Sequence, residues 1–256
     1  MSMHFIIQSS NASLLEKATR IAMEFAQPYR RDEIVGIVFL GAIARGYFDE
    51  SADIDIALFK RQGADIPLAG QFLKVEGLEV HVHIETYEAE LAAAWEMGKR
   101  WTYSQGEIHY DPSGMIAELL AKKVPLKPDE KKWLMMSGLV LSEWYINRLT
   151  QLWVERGNMI SAHHMFHQGL DYFFDLLFGI NDELVADMKW RSYCVEKLTL
   201  LPHNFHERIQ EVMTLKAFTI EEIERRQRAF MEMWKQMTPL VEQEVKMSYD
   251  EMVAVV

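Results

Sequence analysis

An α+β architecture, a small domain built on a mixed sheet followed by a domain of packed helices, is what the sequence predicts, and three observations carry the prediction. Short β-branched runs alternate with helical segments over the first half of the chain. The strand signals then stop, and from Pro128 onward apolar residues recur at spacings of three and four. Between the halves lies Val124-Pro125-Leu126-Lys127-Pro128, where two prolines so close together oppose a continuous helix. The domains are therefore expected at residues 1–126 and 127–256.

The first element is a helix between Ser9 and Tyr29. Leu14, Leu15, Ala18, Ile21, Ala22 and Phe25 fall at helical spacing after a Ser-Ser-Asn-Ala-Ser start that offers N-caps. Ile34 to Leu40 and Asp53 to Phe59 read as strands joined by Gly41 to Ala52. After a loop containing Gly and Pro, Phe72 to Val75 and Leu78 to Glu85 read as two more strands. The second sets Glu79, His81 and His83 against Val80, Val82 and Ile84. Tyr87 to Arg100 reads as a helix, Glu107 to Tyr110 as a last short strand, and Asp111-Pro112-Ser113 opens a helix through Lys123. In the second half, helices are expected at Asp129 to Glu155, Ile160 to Phe178, Asp187 to Leu200, Asn204 to Thr214 and Ile220 to Val245.

Bulk properties exclude several classes of function. Hydrophobic residues at 49% and charged residues at 25% match a folded globular chain. A net charge of −11 argues against broad nucleic-acid binding, which needs clustered Lys and Arg. Apolar stretches such as Gly36 to Ile43 fall far short of the roughly 20 residues that span a bilayer, so no membrane association is expected. Met1 to Gln8 lacks the basic head and long apolar run of a signal peptide. The single cysteine, Cys194, has no partner within the chain for a disulfide, which agrees with a cytoplasmic location.

The chemistry concentrates in Gly36 to Ile56. A strand ends in Gly41, a short helix is expected next, and a second strand opens with Asp53-Ile54-Asp55. Residues two apart on a strand share a face, so Asp53 and Asp55 project together while Ile54 and Ile56 point the other way. Two carboxylates so placed repel by roughly 2 to 3 kcal/mol at an effective dielectric near 20, and a divalent cation reverses that sign. Oxygen donors of this kind suit Mg²⁺ (or Mn²⁺), which also draws ligands from water and substrate phosphates. Gly41 lets the backbone approach a phosphate, and amides at the start of the short helix would face the anion. Glu79 opens a later strand and, if that strand lies beside the first two acids, reaches the metal or takes a proton from an acceptor hydroxyl. His81, on the same face, competes for that role.

At these residues the sequence resembles the polymerase-β-type nucleotidyltransferase superfamily, whose hallmark is Gly-Ser followed after a short helix by Asp-x-Asp. Within it, the likeness is greatest to bacterial aminoglycoside adenylyltransferases, where a Leu-Glu-Val strand supplies the catalytic base, matched here by Leu78-Glu79-Val80. The motif region covers about a third of the chain, and a helical C-terminal domain is also part of those enzymes. The resemblance implies that Asp53 and Asp55 bind Mg²⁺, with Glu79 as third acid and base, and that ATP donates AMP to a hydroxyl of a small molecule. An aminoglycoside-like antibiotic is the most specific acceptor implied, with the helical domain closing the cleft. Gly41, Ala42 and Arg45 are the candidate nucleotide-binding residues. Ala42 departs from the pattern, because the usual Ser hydroxyl is missing; a bond to a charged group is worth roughly 1.5 to 3 kcal/mol.

Two classes of function stay open on these residues: a Mg²⁺-dependent adenylyltransferase, and a catalytically impaired module of the same fold acting as nucleotide sensor or partner protein. Outside the motif, His81 and His83 read as ordinary half-buried strand residues. His163 and His167 share a helix face but lack an evident third ligand. Asp171, Asp175, Asp182 and Asp187 offer either attraction for a cationic acceptor or a solvated face.

Overall fold

The computed structural model describes residues 5–67 and 70–256. Met1 to His4, part of the segment judged above not to be a signal peptide, and Leu68 and Ala69 of the loop before Phe72 lie outside the described residues. The chain forms two compact units, Met1–Pro125 and Leu126–Val256.

In the first unit, helix α1 (Ala12–Ala26) starts at Asn11, whose side-chain oxygen accepts from the amides of Ser13 and Leu14. A 3₁₀ turn, Gln27–Tyr29, ends it at the expected place because Pro28 cannot continue the helix. Strand β1 (Ile34–Leu40) is buried along its whole length, α2 (Gly41–Arg45) is a single short turn of helix, and β2 (Ile54–Lys60) follows. Then come β3 (Phe72–Val75), β4 (Leu78–Thr86), α3 (Tyr87–Ala92), α4 (Met97–Ser104), β5 (Glu107–Tyr110) and α5 (Met115–Lys123). One sequence expectation is corrected here. The helix expected from Tyr87 to Arg100 breaks after Ala92, where Ala93 is extended at ψ 148°. The break carries Trp95 into the core, its ring 4.9 Å from that of Tyr103. Burying a large aromatic outweighs continuing a short amphipathic helix.

The sheet has the order β3-β4-β2-β1-β5 and is mixed. β1 is antiparallel to β2 and β5, β3 is antiparallel to β4, and β4 lies parallel to β2. This register places the site: Leu40 pairs with Asp55 on one side, and His81 pairs with Asp55 on the other. Ala57 and Phe59 continue the Asp55 face into a core with Val38, Trp95, Tyr103, Ile116 and Leu119. The opposite face carries Ile54, Ile56 and Leu58, all fully buried. Only the end of β2 that holds the two acids opens to solvent on the Asp55 face.

The second unit is helical. It runs through α6 (Pro128–Glu143), a π-helical segment (Trp144–Leu149), α7 (Thr150–Glu155), α8 (Met159–Ile180), α9 (Met188–Val195), α10 (Phe205–Met213), α11 (Ile220–Val245) and α12 (Tyr249–Val253). The sequence marks the long helices, although α9 is shorter than the expected Asp187 to Leu200 and α12 has no counterpart among the expectations. α6 and α8 pack closely at Gly138, where an added Cβ would lie 2.7 Å from the Leu176 backbone nitrogen. Among the described residues, no helix is long and apolar enough to cross a membrane.

Candidate functional site

The site is assembled by three strand ends. Asp53 immediately precedes β2, Asp55 is its second residue, and the intervening Ile54 is fully buried on the other face. β4 runs parallel alongside and delivers His81 at the level of Asp55. One donor atom from each of Asp53, Asp55 and His81 lies within 4.8 Å of the others. His81 Nδ1 is 2.8 Å from Asp53 Oδ2 and 3.9 Å from Asp55 Oδ1. His83 reaches the same carboxylate, its Nε2 3.4 Å from Asp55 Oδ1, and that hydrogen bond holds the His83 imidazole above its ordinary pKa against the opposing effect of burial. The side chains of Asp55 and His81 are 22% and 24% exposed, so the cluster is accessible without being fully solvated.

Gly41 is fitted to this arrangement. Its φ of +60° is a conformation that side-chain-bearing residues rarely adopt. A Cβ at that position would stand 2.1 Å from Asp55 Oδ2. The turn thus needs glycine twice over, for its backbone angle and for the space the Asp55 carboxylate occupies. α2 is only one turn long, and its next residue, Ala42, is buried at 4% exposure.

The acid assigned by the sequence as third metal ligand lies elsewhere. Glu79 sits one residue inside β4, its side chain 69% exposed, and its Oε2 meets the far nitrogen of His81 at 3.8 Å. His81 stands between Glu79 and the two aspartates. The reason is register: parallel pairing puts His81, rather than Glu79, opposite Asp55. Alternation had placed both on the correct face but gave no way to choose between them.

Arg45 also departs from the nucleotide-contact reading. The residue is 6% exposed, and its guanidinium lies over two aromatic rings, 5.3 Å from the Phe5 centroid and 4.5 Å from that of Trp101. This is a cation held in the interior of the unit by its aromatic neighbours. Both rings are far from it in sequence, so no local signal marks the stacking.

Three of the other candidate groups, His163, Asp182 and Asp187, are paired within the fold. His163 Nδ1 accepts from Arg226 at 3.0 Å, its ring stacks on Phe218, and burial lowers its pKa. Asp182 pairs with Lys131 at 2.7 Å, and Asp187 caps α9 by accepting from the Lys189 amide. Among the described residues, Asp53, Asp55 and His81 form the only group of three such side chains close enough to hold a metal ion. Two carboxylates and an imidazole, with no Lys or Arg pairing with either aspartate among the described residues, are a donor set suited to a divalent cation.

No protein-family model matches the chain. No curated protein matches it. Among solved structures, the chain is similar to a nucleotidyltransferase-like protein from Exiguobacterium sibiricum 255-15, with 12% identity and a TM-score of 0.47 over 91% of this chain and 78% of that one.

Proposed function

We propose that the first unit binds a nucleoside triphosphate with a divalent metal, Mg²⁺ or Mn²⁺, and transfers its nucleoside monophosphate to a hydroxyl of a small acceptor. ATP as donor and an aminoglycoside-like molecule as acceptor are the specific forms of this reading, taken from the sequence resemblance. The observation that carries it is the convergence of Asp53 and Asp55, without a Lys or Arg partner among the described residues, behind a glycine whose missing Cβ leaves room for the Asp55 carboxylate. Like charges held together in the free protein are a standing cost unless a cation joins them.

Asp53 and Asp55 would hold the metal, with His81 as the third donor. A divalent ion held by these residues would supply charge neutralisation for the phosphates of a bound triphosphate. The protein's own contribution is placement. Burial of Ile54 and Ile56 fixes the carboxylates' direction, and Gly41 keeps the neighbouring backbone clear of them. Glu79, exposed and 3.8 Å from His81, would accept the proton of an incoming hydroxyl.

A second reading, a module that binds the metal–nucleotide without transferring it, is favoured by two observations. Ala42 supplies no hydroxyl for a phosphate, and an imidazole stands where a third carboxylate was expected. Pyrophosphate release measured with several triphosphates and a panel of acceptors separates the two. Transfer predicts release that falls roughly 10²- to 10⁴-fold in Glu79→Gln with metal–nucleotide affinity kept. Binding without release for any acceptor would establish the second reading instead.

A further inference from the structure

The third donor beside the two aspartates is a nitrogen, and this has consequences for which ion the site takes. The inference deepens the reading above and rests on its metal site, though on none of its transfer chemistry. Mg²⁺ binds oxygen donors and keeps several waters, whereas imidazole is a ligand of first-row transition ions. His81 does not merely lie near the acids. Its Nδ1 faces both carboxylates, at 2.8 Å and 3.9 Å, from a backbone position fixed by pairing with Asp55.

The ring is also braced from another side. The edge strand β3 pairs Phe72 with His81, and the two rings meet edge to face with centroids 4.8 Å apart. Nε2 points to the other side, with the nearest Glu79 oxygen at 3.8 Å, beyond hydrogen-bond length. Backbone pairing and the Phe72 contact hold the ring, and Nδ1 is the nitrogen nearer the other two donors.

We propose that Asp53, Asp55 and His81 form a site selective for a divalent first-row transition ion, in the range from Mn²⁺ to Zn²⁺, over Mg²⁺, with His81 as the discriminating ligand. Two hard carboxylates keep Mn²⁺ within reach, and the single nitrogen raises affinity toward the Zn²⁺ end of the series.

The test is calorimetric titration of MnCl₂, ZnCl₂ and MgCl₂ separately into the full chain, with no nucleotide present. Mn²⁺ and Zn²⁺ should bind at least roughly tenfold more tightly than Mg²⁺, and His81→Ala should weaken Zn²⁺ by about 10- to 100-fold while moving Mg²⁺ by less than about threefold. His81→Asp should narrow the preference by improving Mg²⁺. Pulsed electron paramagnetic resonance of the Mn²⁺-loaded wild type gives a readout that depends on no variant's folding: a nitrogen coupling from a directly bound imidazole, absent when His81 is Ala. No nitrogen coupling in the wild type, or equal losses of Mg²⁺ and Zn²⁺ affinity in His81→Ala, would overturn the assignment. A selective metal site in a protein that transfers no nucleotide would sink the transferase reading and leave this one standing. Mg²⁺-supported transfer with no nitrogen coupling would do the reverse.

Discussion

One face of the sheet carries two pairs of carboxylates, and they are treated in opposite ways. At the far end of β4, Glu85 lies near Glu90 of α3, and Lys99 of α4 pairs with both, at 3.1 Å and 2.8 Å. Trp95 and Tyr103 close over the lysine, their centroids 5.0 Å and 5.8 Å from its nitrogen. Burial and the neighbouring Glu90 push the Glu85 carboxyl above its ordinary pKa, with Lys99 opposing them. At the near end, Asp53 and Asp55 converge with imidazoles as their only ion-pair partners among the described residues. Both clusters pair two acids with a basic group across neighbouring elements. The difference is that the first brings its own fixed cation, Lys99, while the second has only imidazoles; exposure does not separate them, since the Glu85 and Asp55 side chains are each 22% exposed. Acidity alone therefore does not mark a binding site; lack of a compensating fixed charge does.

Exchanging the two treatments tests this lesson. His81→Lys gives Asp53 and Asp55 a fixed cation of their own, and the largest effect is expected here. Divalent-metal affinity should fall by roughly 100-fold or more, because the ammonium replaces both a ligand and the ion's charge. The unfolding midpoint in chelator should stay level or rise. The converse change, Lys99→Met, leaves Glu85 and Glu90 without their cation and should cost about 2 kcal/mol of stability in urea denaturation, with metal affinity unchanged. A variant as stable as wild type would show that this cluster needs no compensation.

A third acid pair sharpens the comparison. In the helical unit, Asp171 and Asp175 face Arg191, but at 3.7 Å and 3.6 Å the cation is too far for good hydrogen bonds. Burial pushes the Asp175 carboxyl up to about 6. The folded chain thus holds this proton more tightly than the unfolded chain, so its contribution to stability falls as pH rises from about 4 to about 6. Asp175→Asn should remove that decline, gaining up to about 3 kcal/mol at neutral pH and little at pH 3.5, as read from urea midpoints against pH. A pH profile identical to wild type would contradict the assignment. The smallest effect is expected at Ala42, where Ser adds one hydroxyl in a buried position. Nucleotide affinity should rise by less than about tenfold, one hydrogen bond's worth, and weaker binding would place residue 42 away from the phosphates.

How much of this was legible in the sequence follows from how local each feature is. The strand carrying Asp55, the shared face of the two acids and the glycine turn before them depend on residues near in sequence, and a period of two is enough to read them. The long helix Ile220–Val245 was likewise readable end to end, from its apolar spacing. The choice between Glu79 and His81 was not, because it depends on the register of β4 against β2, which a run of alternating residues leaves free to slip by two. The burial of Arg45 was not legible for a similar reason: Trp101, which covers it, is 56 positions away. The break after Ala92 has no proline or glycine to announce it; only the burial of Trp95 explains it.

The central claim is that Asp53 and Asp55 are held together for a cation and its triphosphate rather than for the fold. Its most direct test is one calorimetric comparison, Mn²⁺-ATP titrated into the wild type and into the Asp53→Asn, Asp55→Asn double variant, alongside thermal unfolding of both in chelator. The account expects binding by the wild type to be lost from the variant by roughly 100-fold or more, with an unfolding temperature equal to or above that of the wild type once the repulsion is gone. Unchanged Mn²⁺-ATP binding in a folded double variant would contradict it.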